Sequence, residues 1–400
     1  MSNKLVRYFT WQSIKAATFN VGVYRRQLYP SPTAEFFDPE NVEGNEMRLK
    51  AAEMALEATV EWLDTPGNTL AVYDGTNSTK KRRQWLSERL AERNIRAIFV
   101  ETVCNDQSIV MQNVIDVKTS SPDYVNMDPS KSAQDFLARI ENYQQIYEPI
   151  DSSERITFMK IIDIGEQVIV DTIKSYLESR VVYYLMNLHI RPRRLWLSRH
   201  GESEYNLSGK LGGDSNISAR GELYAQKLPK LVADAVGDQP LTVWTSTLKR
   251  TKQTARYLPY PKIEWKALDE LDAGVCDGLT YEEIRNAYPE DFAARDENKY
   301  QYRYRCGESY FDVVTRLDSI IMELERQENI LIVTHQAVLR CIYAYYMNVP
   351  QQRSPWMEVP LHTLICLEPH AYGTKETRIS ANIPAVNTFR AKGEAPGSLC

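Results

Sequence analysis

The chain has 400 residues, of which 43% are hydrophobic and 25% charged, and it carries a formal net charge of −5. That length suits two cores better than one, the composition belongs to folded chains rather than disordered ones, and the faint acidic balance argues against nucleic acid as a bulk partner. No apolar run approaches the roughly 18 residues that cross a bilayer as a helix; the longest candidate, Val181 to Ile190, is interrupted by Asn187 and His189.

In chain order, Ala16 to Val21 reads as a strand, as do Thr69 to Tyr73 and Ala97 to Val100. Between them, Glu46 to Leu63 and Arg83 to Leu90 carry apolar residues at helical spacing. Within the basic run Lys80-Lys81-Arg82-Arg83, the first two lysines read as a solvated helix face. Lys160 to Gly165 reads as a further buried strand, followed by one long helix reaching about Asn187. Arg191-Pro192 breaks the pattern and predicts a domain boundary, so the expected domains are 1–190 and 191–388. Residues 389–400, rich in Gly, Pro, Ala and Lys, read as a disordered tail. Strands alternating with helices predict an α/β fold with largely parallel sheets.

The second half repeats a strand–loop–helix grammar with chemistry at each loop. Leu195 to Ser198 leads into Arg199-His200-Gly201, Leu241 to Trp244 into Thr245-Ser246 and a helix bearing Lys249 and Arg250, and Ile330 to Val333 into Thr334-His335-Gln336. In an open parallel sheet, ligands bind beyond the carboxyl ends of the strands, so these loops are expected to converge. Phosphoryl transfer needs a nucleophile, cations on the equatorial oxygens and an acid for the leaving oxygen. A neutral His200 supplies the first. Arg199 and Arg250 offer planar forks suited to phosphate, and His335, opening a helix, offers its ring and the backbone N–H groups beside it. Glu270 lies in a loop-like stretch, where a partly desolvated carboxyl can serve as general acid. By contrast, His189 and His362 are expected to be hydrogen-bonded structural residues, and Asp269 and Asp272 loop or capping residues.

Arg199-His200-Gly201-Glu202-Ser203-Glu204-Tyr205-Asn206, with Gly212-Gly213-Asp214-Ser215 and Ser218-Ala219-Arg220-Gly221, resembles the bisphosphatase domain of the bifunctional 6-phosphofructo-2-kinase/fructose-2,6-bisphosphatase family. The resemblance continues through Glu270-Leu271-Asp272-Ala273-Gly274, Tyr302-Arg303-Tyr304, Gly307-Glu308-Ser309-Tyr310 and Thr334-His335-Gln336-Ala337-Val338-Leu339-Arg340-Cys341. It implies a histidine-phosphatase fold, a phosphohistidine at His200, and Arg199, Asn206, Arg250 and His335 around the transferred group. It also implies that Glu270 protonates the departing sugar oxygen, that no metal or cofactor is needed, and that the substrate is fructose 2,6-bisphosphate. Tyr281, Arg295, Lys299, Tyr310, Gln336 and Arg340 match the positions that grip the sugar and its 6-phosphate, and a second phosphate does require its own cations.

The first half resembles the kinase domain of the same family through Phe19-Asn20-Val21-Gly22, Tyr24-Arg25-Arg26, Asp74-Gly75-Thr76-Asn77-Ser78-Thr79, Glu101-Thr102-Val103-Cys104 and Tyr183-Tyr184-Leu185-Met186-Asn187. Arg25, Arg48, Thr76, Arg82, Arg139 and Tyr143 match its fructose 6-phosphate positions. Asp74, at a strand end, matches a magnesium ligand, and Asn113 and Lys118 match positions near the ATP phosphates; ATP and Mg are thus implied for this half if it is active. None of the seventeen glycines opens a G-x-x-x-x-G-K-[ST] sequence, the loop that cradles ATP phosphates. The family carries that loop on an initial strand before the helix that Lys4 to Phe9 continues, so the expected fold is a P-loop-kinase-like parallel sheet lacking its first strand and loop. Kinase activity is expected to be lost or weak.

The leading expectation is therefore a fructose-2,6-bisphosphate 2-phosphatase releasing fructose 6-phosphate. A catalytically impaired binding or dimerisation partner and a mutase or broad-specificity phosphatase are the alternatives, and a homodimer is compatible with each. Six scattered cysteines without a C-x-x-C pair, and no signal-peptide pattern, predict a cytoplasmic protein.

Overall fold

The computed structural model describes all residues except 31–32, 116–121, 125–127, 189–192, 371–372 and 394–400. The boundary expected at Arg191-Pro192 and the expectations for His189 and Lys118 lie outside the described residues. Two compact units emerge, one of Met1–Thr10 with Ile14–Ile190, the other of Trp11–Ser13 with Arg191–Cys400.

In the first unit, β1 (Ala16–Asn20) pairs in parallel with β2 (Leu70–Asp74), Asn20 opposite Asp74, so both carboxyl ends finish together. The helix Val42–Asp64 between them starts at Asn41, whose side chain accepts from Gly44 N–H, and buries Ala51, Ala52, Ala55, Leu56 and Thr59 along one stripe. The helix Lys80–Ala91 follows β2; Lys81 is exposed, and the Lys80 ammonium makes an exposed pair with Asp151. A separate sheet holds β3 (Phe99–Val103), β4 (Phe158–Ile162) and β5 (Gln167–Asp171), β3 parallel to β4 and β4 antiparallel to β5.

β5 corrects the expected unbroken helix to Asn187, because helix occupies only Tyr176–Asn187. Asp163 and Gly165, with φ of 48° and 94°, turn the chain back, and Val168-Ile169-Val170 suits the pleated surface that receives it. The expected parallel sheet thus resolves into two sheets, one with an antiparallel edge.

The second unit is a mixed sheet of β6 (Arg194–Arg199), β7 (Thr242–Thr245), β8 (Lys262–Glu264), β9 (Asn329–Thr334), β10 (Thr363–His370) and β11 (Gly373–Ser380), in the order β11-β10-β6-β9-β7-β8. β6, β9, β7 and β8 are parallel; β10 and β11 run against their neighbours. The helix Ala219–Val236 buries Tyr224, Leu228, Val232 and Val236 at helical spacing against Trp196, Val243, Leu331, Val333 and Leu364. Each such fully buried aliphatic side chain contributes about 1.5–3 kcal/mol, and together they hold β6, β7 and β9 in register. Arg199 stands opposite Thr334, and Thr245 opposite Val333, so the residues that follow, His200, Ser246 and His335, leave the sheet side by side.

Of the tail expected over residues 389–400, only 389–393 are described, and Arg390 departs from that expectation. Arg390 is 7% exposed and forms a forked ion pair with Asp296.

Candidate active site

His200 follows β6, 3% exposed, with its backbone N–H donating to the Thr334 carbonyl at 2.9 Å. Its Nδ1 lies 2.8 Å from the Gly201 carbonyl. In a neutral ring that contact requires the proton on Nδ1, which leaves the Nε2 lone pair free to attack. Burial first, then the guanidinium charges of Arg250 and Arg199, pushes the His200 pKa well below the ordinary histidine value. A fully buried His335, its ring centroid 5.2 Å away, is pushed the same way by burial, Arg250 and His200. Both rings are neutral at pH 7.

Among the described residues, the hydrogen-bond partners of the two arginines beside them are neutral. Arg199 Nη1 donates to the Val359 carbonyl at 2.9 Å and to Thr388 Oγ1 at 2.7 Å, and Arg250 Nη1 to the Gly213 carbonyl at 2.6 Å. Burial pushes the Arg199 pKa down to about 9, with Glu270 opposing and Arg340 and Arg250 adding to the shift. Arg199 Nε and His335 Nδ1 are buried with no hydrogen-bond partner among the described residues. An unsatisfied buried polar group costs about 1–3 kcal/mol, and an anion accepting from both would remove that cost. His335 Nε2 is held by Ser246 Oγ at 2.7 Å, a partner the sequence analysis did not single out although it opens the loop after β7. Half-buried Asn206 reciprocates a cap, its Oδ1 accepting from Ser203 N–H at 3.0 Å, which leaves its amide nitrogen uncommitted to the cap.

Glu270 alters one expectation. Its carboxylate accepts from the backbone N–H groups of Leu271 (2.9 Å), Gln336 (3.1 Å) and Ala337 (3.1 Å). The N–H groups beside His335, expected to face the transferred anion, are therefore occupied by Glu270 at the start of the helix Gln336–Met347.

Glu270 also lines an open cavity together with Tyr281, Arg295, Lys299, Tyr310, Gln336 and Arg340. All six positions expected to grip the sugar and second phosphate share that one cavity; His200, Arg199, Asn206, Arg250 and His335 do not line it. Arg295 donates to Tyr304 and Tyr281 hydroxyls at 2.7 and 2.8 Å, and Arg340 to the Tyr310 hydroxyl at 3.0 Å. Lys299 Nζ donates to the Pro355 carbonyl at 2.9 Å and lies 4.2 Å from the centre of the Trp356 ring. Burial, then Arg295, Arg340 and Arg390, pushes the Lys299 pKa well below its ordinary value. Arg390 and its counter-ion Asp296 were missed because nothing in the low-complexity run that follows Arg390 marks it as fixed. His362 behaves as expected: Nε2 accepts from Glu202 N–H at 3.0 Å, Nδ1 sits 3.1 Å from the Ile383 carbonyl, and the ring stacks on Tyr224.

In the first unit, Arg25, Arg48, Arg139 and Tyr143 gather about the Phe37 ring, at 6.0, 5.8, 4.5 and 6.1 Å. Unlike Arg199 and Arg250, Arg25 and Arg139 already hold a carboxylate: both oxygens of Asp123 accept from Arg25 Nη2, at 2.8 and 2.7 Å, and one also from Arg139 Nη1 at 3.2 Å. Arg82 donates to the Tyr73 hydroxyl at 3.3 Å and stacks on Trp85, and Thr76 is exposed after β2. Asp74 accepts from Asn20 at 2.9 Å where β1 and β2 end. Asn113 is exposed, its amide turned to the Ile109 carbonyl.

Family comparisons coincide with these units. The 6-phosphofructo-2-kinase family matches residues 1–192, and branch 1 of the histidine phosphatase superfamily matches residues 195–382. A fructose-2,6-bisphosphatase of Saccharomyces cerevisiae is 56% identical over 397 residues, 98% of this chain and 88% of that protein. Human 6-phosphofructo-2-kinase/fructose-2,6-bisphosphatase 1 is 45% identical over 396 residues, 98% of this chain and 84% of that protein.

The chain belongs to the 6-phosphofructo-2-kinase/fructose-2,6-bisphosphatase family. Rat 6-phosphofructo-2-kinase/fructose-2,6-bisphosphatase 3 is 45% identical over 99% of this chain and 72% of that protein. The second unit is a histidine phosphatase domain, and the protein a phosphatase. For the first unit, the kinase family implies ATP and Mg. The residues present do not fit ATP: the 400 residues contain no G-x-x-x-x-G-K-[ST], the loop whose backbone cradles its phosphates. No described helix is long and apolar enough to cross a membrane.

Proposed function

We propose that the protein hydrolyses fructose 2,6-bisphosphate to fructose 6-phosphate and phosphate through a phosphohistidine at His200. The observation that carries this reading is a neutral His200, proton committed to the Gly201 carbonyl, beside Arg199 and Arg250, whose hydrogen-bond partners among the described residues are neutral. In the first step Nε2 attacks the 2-phosphoryl phosphorus, an N–P bond forms, the P–O bond to C2 breaks, and Glu270 in its protonated form supplies a proton to the leaving oxygen. Arg199, Arg250, Asn206 and His335 receive the charge of the equatorial oxygens. Water then attacks phosphohistidine, gives its proton to the Glu270 carboxylate, and phosphate leaves with His200 restored. The 6-phosphate sits in the cavity against Arg295, Lys299 and Arg340, and Tyr281, Tyr310 and Gln336 contact the sugar. Binding energy from that remote phosphate orients the reacting centre.

The reading extends to a cytoplasmic location and to a first unit that binds fructose 6-phosphate through Arg25, Arg48, Thr76, Arg82, Arg139 and Tyr143 but turns over ATP weakly or not at all. No kinase step is derived for it. The test is rapid acid-free quenching with substrate labelled at the 2-phosphate. Label on the parent protein and none on His200→Ala is expected. A parent that neither takes up label nor releases phosphate overturns the proposal and favours a binding partner without turnover.

A further inference from the structure

Residues 381–390 form neither helix nor strand, yet the second unit grips this strap along its length. Ala381 N–H donates to the His362 carbonyl at 2.9 Å, and His362 Nδ1 in turn meets the Ile383 carbonyl. Val386 N–H donates at 2.8 Å to Glu202 Oε2. Glu202 is 0% exposed, and its other oxygen takes Ser218 Oγ at 2.7 Å and Arg220 Nε at 2.8 Å. A buried carboxylate demands donors on both oxygens, so Val386 is tied down. Four residues later Arg390 is tied down again by Asp296. Thr388 lies midway between these anchors.

What Thr388 does there is accept from Arg199. A guanidinium is a rigid plane with two N–H bonds on Nη1. Held by the Val359 carbonyl alone, it would turn about that contact. With Thr388 Oγ1 as second acceptor on the same nitrogen, both Nη1 hydrogens are used and the plane is fixed. The nitrogen left over, Nε, is the buried one without a partner. We propose that Thr388 is a positioning residue for phosphoryl transfer, its hydroxyl setting the plane of Arg199 so that the remaining N–H groups meet the phosphoryl oxygens. The strap thus completes the site from the far end of the domain. This inference rests on the reading of His200 given above.

The test compares Thr388→Val, which keeps the shape and removes the acceptor, with Thr388→Ser, which keeps it, in the full chain. Parent turnover of fructose 2,6-bisphosphate is measured first, because a parent without turnover overturns both readings, whereas an active parent isolates this one. In Thr388→Val, kcat and the single-turnover rate of phosphoenzyme formation are expected to fall about ten-fold, as for a lost hydrogen bond to a charged group, with KM within about two-fold. Inhibition by inorganic phosphate, which reports the anion site without chemistry, is expected to weaken alongside. Thr388→Ser is expected to restore all three. A Thr388→Val kcat within about two-fold of the parent overturns the inference. So does a loss that serine fails to restore, or a rise in KM at unchanged kcat. If Thr388→Val does not fold, Thr388→Ala with the same readouts and the same serine control decides the matter.

Discussion

Replacing Gly201 with alanine tests how tightly the first catalytic loop is built. A Cβ at this position would stand 2.7 Å from the Gly221 carbonyl oxygen and 2.9 Å from Gly221 Cα, both backbone atoms at the start of the helix Ala219–Val236. Ordinary contacts begin near 3.4 Å, so loop and helix must part by roughly 0.7 Å. Neither can move freely: Gly201 N–H is bound to Thr254 Oγ1 at 2.8 Å, and the Gly201 carbonyl orients His200. Overpacking of this kind costs about 1–3 kcal/mol, or roughly 2–10 °C of melting temperature for a domain near this size. A nucleophile displaced by a large fraction of an ångström loses on the order of 100-fold in rate. Gly201→Ala is therefore expected to lose far more kcat than stability, read by steady-state hydrolysis of fructose 2,6-bisphosphate beside differential scanning calorimetry. Gly373→Ala, where a Cβ meets nothing within 4 Å, should change neither. Parental kcat in Gly201→Ala would refute the claim that the Gly201–Gly221 approach sets the His200 geometry.

Other consequences follow from charge. Because His200 and His335 have depressed folded-state pKa values, below pH about 6.5 the unfolded chain binds protons that the folded one does not. Stability should fall as pH drops below that point and be insensitive to these groups above about pH 7.5; His335→Gln should flatten the acid limb of a urea-midpoint profile, and an unaltered limb would count against a buried neutral ring. Arg340→Met removes a cation from the cavity and should lower kcat/KM for the bisphosphate by about 10- to 100-fold. The same variant should treat p-nitrophenyl phosphate, which has no second phosphate, within about three-fold of the parent. Asp123→Asn strips Arg25 and Arg139 of a shared carboxylate and should destabilise the first unit by about 3 kcal/mol, seen as an earlier urea transition.

Much of the candidate site is legible because its residues ride on local patterns. Short apolar runs ending in Arg199-His200, Thr245-Ser246 and Thr334-His335 announce strand tips, and strand tips in a parallel sheet open onto one edge. The register Arg199–Thr334 then delivers what the pattern anticipates. Glu270 shows where this kind of reading stops. A carboxyl in a loop is visible in the sequence, but its seat on the N–H groups of Gln336 and Ala337 depends on a helix 66 residues away along the chain. The hairpin that forms β5 was hidden for a local reason, a turn built on a positive φ at Asp163, which aspartate adopts without advertising it.

The amino-acid sequence by itself determined the α/β class and the family to which both halves belong, and it put His200 and its flanking arginines forward as the candidate site, since each resides in short contiguous segments. Only the tertiary structure decided which cations are already neutralised and which wait for an anion. Arg25 and Asp123 are 98 residues apart, Arg390 and Asp296 are 94, and Arg199 and Thr388 are 189. Pairings at such separations arise from chain folding rather than local propensity, and at short range in a buried, low-dielectric setting they decide whether a guanidinium is structural or available to a substrate.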